Sequence, residues 1–177
     1  MTERGDVAAR VWRGLVGPLG RAESAAVLGV AAVTGLAVAR QTGTRRGPGA
    51  ALLLGAVAVD VTGGMVAFQL PATRERYRSS SLADRLGLAA AHVQCLALPS
   101  AGEGTWSRAL ARWAGVVGAT AVLQAAVPER RRRAAGTALG AVLAAADLAT
   151  DRSAQRWLGP VWHLKLVAGH ATLPDPR

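Results

Sequence analysis

Residues 51–71 read ALLLGAVAVDVTGGMVAFQLP. A bilayer-spanning helix needs about 20 residues, so the run is long enough to cross. Yet Asp60 stands near its middle, with Gly63 and Gly64 one turn later. On insertion scales an aspartate at a helix centre costs about 2.5–3.5 kcal/mol. Leu52, Leu53, Leu54, Val57, Val59 and Val61 offset that cost over the whole helix without making it small. Asp60 is therefore expected to face neighbouring helices and to find a partner there. Asp60 and Gly64 are four residues apart and share a face. A second helix can thus pass close beside the carboxylate.

Outward from this run the chain alternates apolar stretches with short basic ones. Residues 24–39 carry no charge and show no amphipathic period, as in a helix that is apolar all round. Residues 86–98 are short and hold His92 and Gln94. Residues 109–127 carry Arg112 and Gln124, residues 134–150 carry Asp147, and residues 158–173 carry His163, Lys165 and His170. The runs at 49–70 and 109–127 meet the spanning length outright. Those at 24–39 and 134–150 need snorkelling flanks or local thinning. Those at 86–98 and 158–173 are short enough to be re-entrant or interfacial. The expectation is an all-α transmembrane bundle of about six helices, two of them short or re-entrant. It comprises an interfacial segment at 1–21, a membrane domain at 22–173 and a tail at 174–177. Within 1–21, Val11, Trp12, Leu15 and Val16 fit a short surface helix. Ala37-Val38-Ala39 has the form of a signal-cleavage site, but the long polar region before it favours a retained first helix.

The composition agrees. Hydrophobic residues make up 51% of the 177, aromatics only 4%, and glycine numbers 21. A soluble core of such small side chains buries little area per residue, whereas small residues let helices approach closely in lipid. A soluble all-α protein is the competing class, since apolar runs of 10–14 residues are often core helices. The formal charge of +10 comes from arginine, with Lys165 the single lysine. The arginines cluster between apolar runs, as loop charges do, so nucleic acid is not expected as a partner. With six spans, one side holds 13 arginines and the other 7. The richer side is expected to be cytoplasmic and to hold both termini. Cys95 is the single cysteine, so no intramolecular disulfide forms.

The residues that can carry chemistry are few. Asp60, His92 and His170 are the candidates for proton or ion binding, with Gly63, Gly64, Gln94 and Tyr77 in support. His92 is expected to be the partner of Asp60. His92 and Gln94 point apart on a regular helix, so both reach one ion only if the segment opens. His163 and His170 are seven apart, which on an α-helix places them on one face about 10 Å apart. Lys165 is expected to snorkel toward headgroups. Asp147 and Asp151 are expected to be neutralised by Arg152 and Arg156. Gly136-x-x-x-Gly140 is a candidate helix contact. P-loop, G-x-S-x-G, H-E-x-x-H and Rossmann signatures are absent. Whether the chain is an enzyme stays open, as do its cofactor and its metal.

Asp60-x-x-Gly63-Gly64, Tyr77, His92 and Lys165-Leu166-x-x-Gly169-His170 together resemble a family of small uncharacterised bacterial polytopic membrane proteins. The resemblance covers residues 56–100 and 158–172. The family pattern often has an asparagine after the glycine pair and a second histidine two after the first; here Phe68 and Gln94 stand instead. What the resemblance implies is a membrane location and no particular activity. Three functions fit the residues: proton or cation handling in a permease-like protein, a non-catalytic scaffold or assembly partner, and a membrane enzyme using His92 and Asp60. The bilayer is the expected partner, with a second copy of the chain and a small ion or solute left open.

Overall fold

A computed structural model describes residues 3–175, with side chains from residue 7 onward. Residues 1–2 and 176–177, with Arg177 of the arginine count, lie outside the described residues, as does the Arg4 side chain. The described residues form an all-helical structure, 81% helix with no strand. The α-helices are α1 (Glu3–Val16), α2 (Arg21–Arg46), α3 (Pro48–Ala67), α4 (Pro71–Arg76), α5 (Leu82–Ala91), α6 (Ala97–Ser100), α7 (Trp106–Ala126), α8 (Glu129–Thr150) and α9 (Leu158–His163). The all-α class expected from the sequence stands. Three helices, α2, α3 and α7, are long and apolar enough to cross a membrane.

α2 and α3 form a close antiparallel hairpin. Gly47, at φ 86°, makes the turn, and Pro48 opens α3 at a position where its missing N–H costs nothing. Small residues let the two backbones touch. A Cβ on Gly55 would sit 3.0 Å from that of Ala39 and 3.2 Å from the Gly35 carbonyl oxygen. Gly63 faces Ala31 in the same way, and the Thr34 and Thr62 hydroxyls meet at 2.6 Å. Gly63 thus serves the hairpin and leaves Gly64 to face the other way.

The run at 86–98 is broken. α5 begins with a capping box, Ser81 Oγ accepting from Asp84 N and Asp84 Oδ2 accepting from Ser81 N. It ends at His92, whose ring Nδ1 lies 2.6 Å from the Leu88 carbonyl and occupies the acceptor of the last turn. A 3-10 turn at Gln94–Leu96 follows, then the short α6 with Pro99. This interruption turns Gln94 back toward α3.

The C-terminal segment changes pitch. α9 passes into a π-helix at Leu164–Gly169 and a 3-10 turn at His170–Thr172. The wider i→i+5 turns rotate less per residue than an α-helix. His163 and His170 therefore do not share a face. His163 lies against Asp147 of α8, and His170 against the Phe68 ring after α3. The segment packs into the Gly136–Gly140 groove of α8: a Cβ on Gly136 would meet Thr172 Cγ2 and, at 3.0 Å, the Val167 carbonyl oxygen. The small-xxx-small contact read from the sequence is present.

The connections gather at two ends. At one, Thr73 and Tyr77 donate to the carbonyls of Val16 and Leu15, while Arg74, Arg85 and Arg132 hold residues 169–175. At the other, Glu103 receives Arg46 and the Ala154 N–H, Gln155 donates to Gln41 and Thr42, and Arg108 donates to Thr150.

Gly136→Leu is expected to lower stability by roughly 1–3 kcal/mol, as overpacking does. Gly118→Leu, where nothing lies within 4 Å, is expected to change little. Thermal unfolding of the two purified variants in detergent checks the contrast.

Candidate functional site

Asp60 has a partner, and it is not His92. Lys165 Nζ donates to Asp60 Oδ2 at 2.6 Å and lies 3.3 Å from the Asp60 carbonyl oxygen. Lys165 does not snorkel; its side chain is 3% exposed. The correction has a physical cause. A buried ammonium needs an opposite charge, and the π-helical turn aims Lys165 at α3. Gly64 makes the approach possible, because a Cβ there would stand 2.9 Å from Lys165 Cδ and 3.0 Å from Nζ. The glycine beside the carboxylate thus admits a single side chain lying across the helix.

Gln94 completes the group by donating through Nε2 to Asp60 Oδ2 at 3.0 Å. Its own Oε1 is buried without a partner among the described residues. Asp60 Oδ1 accepts no hydrogen bond among those residues, and the Asp60 side chain is 46% exposed. The ion pair is therefore asymmetric: a sealed cation and a carboxylate with one oxygen open.

Asp60 lines a cleft of about 540 Å³. Asp60, Gln94, Lys165 and His92 line one part of it, and the apolar wall includes Val27, Leu28, Ala31, Val59 and Leu88. Trp12, Phe68 and Tyr77 add ring surface. Tyr77 packs on Phe68 with centroids 5.4 Å apart, while Arg76 lies 5.7 Å over the Tyr77 ring. His92 lies in this cleft and edge-on to Trp162 at 6.2 Å, held by the Leu88 carbonyl. His170 is buried behind Phe68, with ring centroids 5.6 Å apart and Nδ1 unpartnered among the described residues. The structure thus brings Asp60, Gln94, Gly64 and His92 to one cleft and leaves His170 outside its lining. No group of three or more His, Cys, Asp or Glu residues suited to a metal ion occurs among the described residues.

A second charged cluster escaped the sequence reading. Arg112 of α7 donates through Nε to Asp147 Oδ2 at 2.7 Å and through Nη2 to Asp147 Oδ1 at 2.8 Å and Asp151 Oδ2 at 2.5 Å. His163 Nε2 lies 3.6 Å from Asp147, and Arg108 lies 3.8 Å from it. The partner of the two aspartates is Arg112 rather than Arg152 or Arg156, because both carboxylates face inward where α7 meets α8. Gly159 leaves room for the fork: a Cβ there would stand 2.8 Å from Arg112 Nη2. Burial pushes the Asp151 carboxyl up, but hydrogen bonds from Ser153 and Arg112 outweigh it and hold its pKa below the ordinary value. A charge count across the apolar runs was the available signal: one arginine near the start of 109–127, two aspartates near the end of the next run.

No family model, curated protein or solved structure matches the chain.

Removing the carboxylate strands the buried ammonium, whereas replacing both partners by apolar groups leaves no buried charge unpaired. Asp60→Leu and Lys165→Met are each expected to lower the detergent melting temperature, and the double variant to melt above Asp60→Leu. A double variant less stable than both singles would show that the pair contributes more than mutual neutralisation.

Proposed function

We propose that the chain is a multi-pass integral membrane protein whose Asp60–Lys165 pair handles a proton or a cation in a permease-like role. The observation that carries this reading is the open Asp60 oxygen, in a cleft midway along an apolar helix, on a carboxylate already held by Lys165 at 2.6 Å. A group that were only a helix lock would gain from having both oxygens closed.

The membrane assignment rests on several supports. Three helices have spanning length and composition. Large apolar side chains face outward on α2, α3, α7 and α8, among them Leu36, Leu52, Val122 and Val142. Large apolar side chains exposed on four helices suit a lipid surrounding. The gathering of the connections at two ends supports six passes: α2, α3, the broken segment 82–100, α7, α8 and the segment 158–172. Six is even, so both termini fall on one side. That end carries Arg74, Arg76, Arg78 and the arginines at 130–133, which supports a cytoplasmic location. At the opposite end Glu103, Asp147 and Asp151 neutralise Arg46 and Arg112. The resemblance to small bacterial polytopic proteins points the same way.

A scaffold is the second reading, favoured by the lysine stem packed over Gly64. In a scaffold the pair fastens α3 to the C-terminal segment and nothing moves.

Reporter fusions at either terminus are expected to be active only in the cytoplasm; a C-terminal reporter active outside would remove one pass.

Reconstituted in liposomes with a luminal pH dye and a valinomycin-set potential, the wild type is expected to carry protons. Asp60→Asn, at equal incorporation, should be slower by roughly tenfold, the effect of about 1.4 kcal/mol on a barrier. Equal rates for the two proteins, or a wild-type rate no faster than protein-free liposomes, would favour the scaffold.

A further inference from the structure

The cleft has more than a floor, and its walls say what kind of molecule fits. One oxygen of Asp60 is open while its companion is held by Lys165 and Gln94. Lys165 itself is sealed. A molecule entering the cleft thus meets an acceptor and negative charge before it meets the ammonium. Phe68 follows Asp60 by eight residues, about 12 Å along a helix, and Trp12 and Tyr77 line the same space. Aromatic faces attract cations. The remaining wall is mostly aliphatic and the free acceptors are few, Asp60 Oδ1 and Gln94 Oε1, so a small hydrated ion would regain little of its water shell. The absence of a metal-ligand group among the described residues agrees. The volume of about 540 Å³ suits a molecule of drug size. The exposed Leu28 and Val59 line the cleft on two helices of spanning length and composition, so a lipophilic solute finds apolar surface at its entrance.

We propose that this cleft binds a lipophilic organic monocation at Asp60, and that the cation exchanges against the proton of Lys165. The inference rests on the proton- or cation-handling reading above and names its substrate class. The balance is simple. The Lys165 ammonium, which lines the cleft beside Asp60, gives up one proton to cleft water and becomes the neutral amine, which stays hydrogen-bonded at the carboxylate. The organic cation replaces its charge, so the site keeps the same net charge with either occupant. No bond in the solute changes. The other titratable groups facing Lys165 are few: Asp60 from α3, His92 from the end of α5 and His170 from the segment's own 3-10 turn. Asp60 alone opposes loss of the proton. A protonated His92 or His170 would assist it, as an arriving cation does.

The experiment uses the purified full chain in detergent and three probes of nearly one shape. Tetraphenylphosphonium carries a positive charge, tetraphenylborate a negative one, and tetraphenylsilane none. Binding is measured by equilibrium dialysis against protein-free micelles. Proton release is measured by calorimetry in buffers of different ionisation enthalpy. Tetraphenylphosphonium is expected to bind with release of a proton, more weakly as the pH falls, and the other two to bind at least roughly tenfold more weakly. Asp60→Asn should lose binding by a similar factor, and Asp60→Glu should retain it. Lys165→Met should bind more tightly and release no proton. Tetraphenylborate binding as well as or better than its cationic isostere would overturn the proposal in favour of an anion site on Lys165. Equal binding of all three would reduce the cleft to a greasy surface. These comparisons need only the wild type, so they stand even if the variants do not fold. Proton flux in liposomes with no tetraphenylphosphonium binding sinks this inference alone; absence of both flux and proton release sinks the reading beneath it.

Discussion

A lysine buried in the middle of a helical bundle constrains everything around it. An unpaired ammonium at that depth is unaffordable, so a carboxylate must stand within reach, and the path between them must be clear of side chains. In this chain the carboxylate is Asp60 and the clearance is Gly64. The constraint then propagates. Gly63 is committed to the α2 contact and Gly64 to the lysine, so the adjacent glycines serve two interfaces on different faces of one helix. The C-terminal segment must present Lys165 to α3 while fitting its small face into the Gly136–Gly140 groove of α8. A regular α-helix holds residues 163 and 170 on one face. The π-helical stretch lets His163 meet Asp147 and His170 meet Phe68 instead.

How much of this was legible follows from which forces are local. The all-α class and the outward apolar faces follow from runs of apolar residues, which the chain displays directly. The need of Asp60 for a partner follows from desolvation alone. The identity of the partner did not, because Lys165 lies 105 residues away and its direction depends on a π-helical turn that no local propensity announces. An aspartate in one apolar run and the single lysine in another could have been matched by charge alone. Reading Lys165 by itself led to snorkelling; reading it against Asp60 leads to the pair. Arg112 repeats the lesson with Asp147 and Asp151. The break at His92 was written more openly, since a polar ring stands in a short apolar run and Pro99 follows it directly.

The arginines divide into two kinds that composition cannot separate. Some mark the ends of the bundle. Others are structural. Arg85 is fully buried and donates to Gln124 and to the carbonyls of Arg78, Ser80, Leu173 and Pro174. Arg74 holds Gly169 and Thr172, and Arg132 holds Leu173 and Asp175, whose carboxyl its hydrogen bond keeps below the usual range. A planar fork with five donors suits this work better than an ammonium does. These three clamp the C-terminal segment in place, and through it they fix the height at which Lys165 meets Asp60.

The two charged clusters differ in a way that bears on function. Around Arg112 the guanidinium is buried and bidentate to Asp147, and it reaches Asp151 as well; every charge there has a near partner. This network ties α7, α8 and the 151–155 turn together, although His163 Nδ1 and Ser153 Oγ beside it are buried without a partner among the described residues, and Arg112, Asp147 and His163 line a cavity of about 490 Å³. Around Asp60 the cation is satisfied but the anion is not. One carboxylate oxygen and the buried Gln94 Oε1 have no partner among the described residues, and the carboxylate opens onto a cleft. Unspent acceptor capacity beside a sealed cation means that an arriving donor or cation gains an interaction before any existing one is lost. Structural stability favours closing such a site. Its openness is the feature on which the proposed proton- or cation-handling role rests.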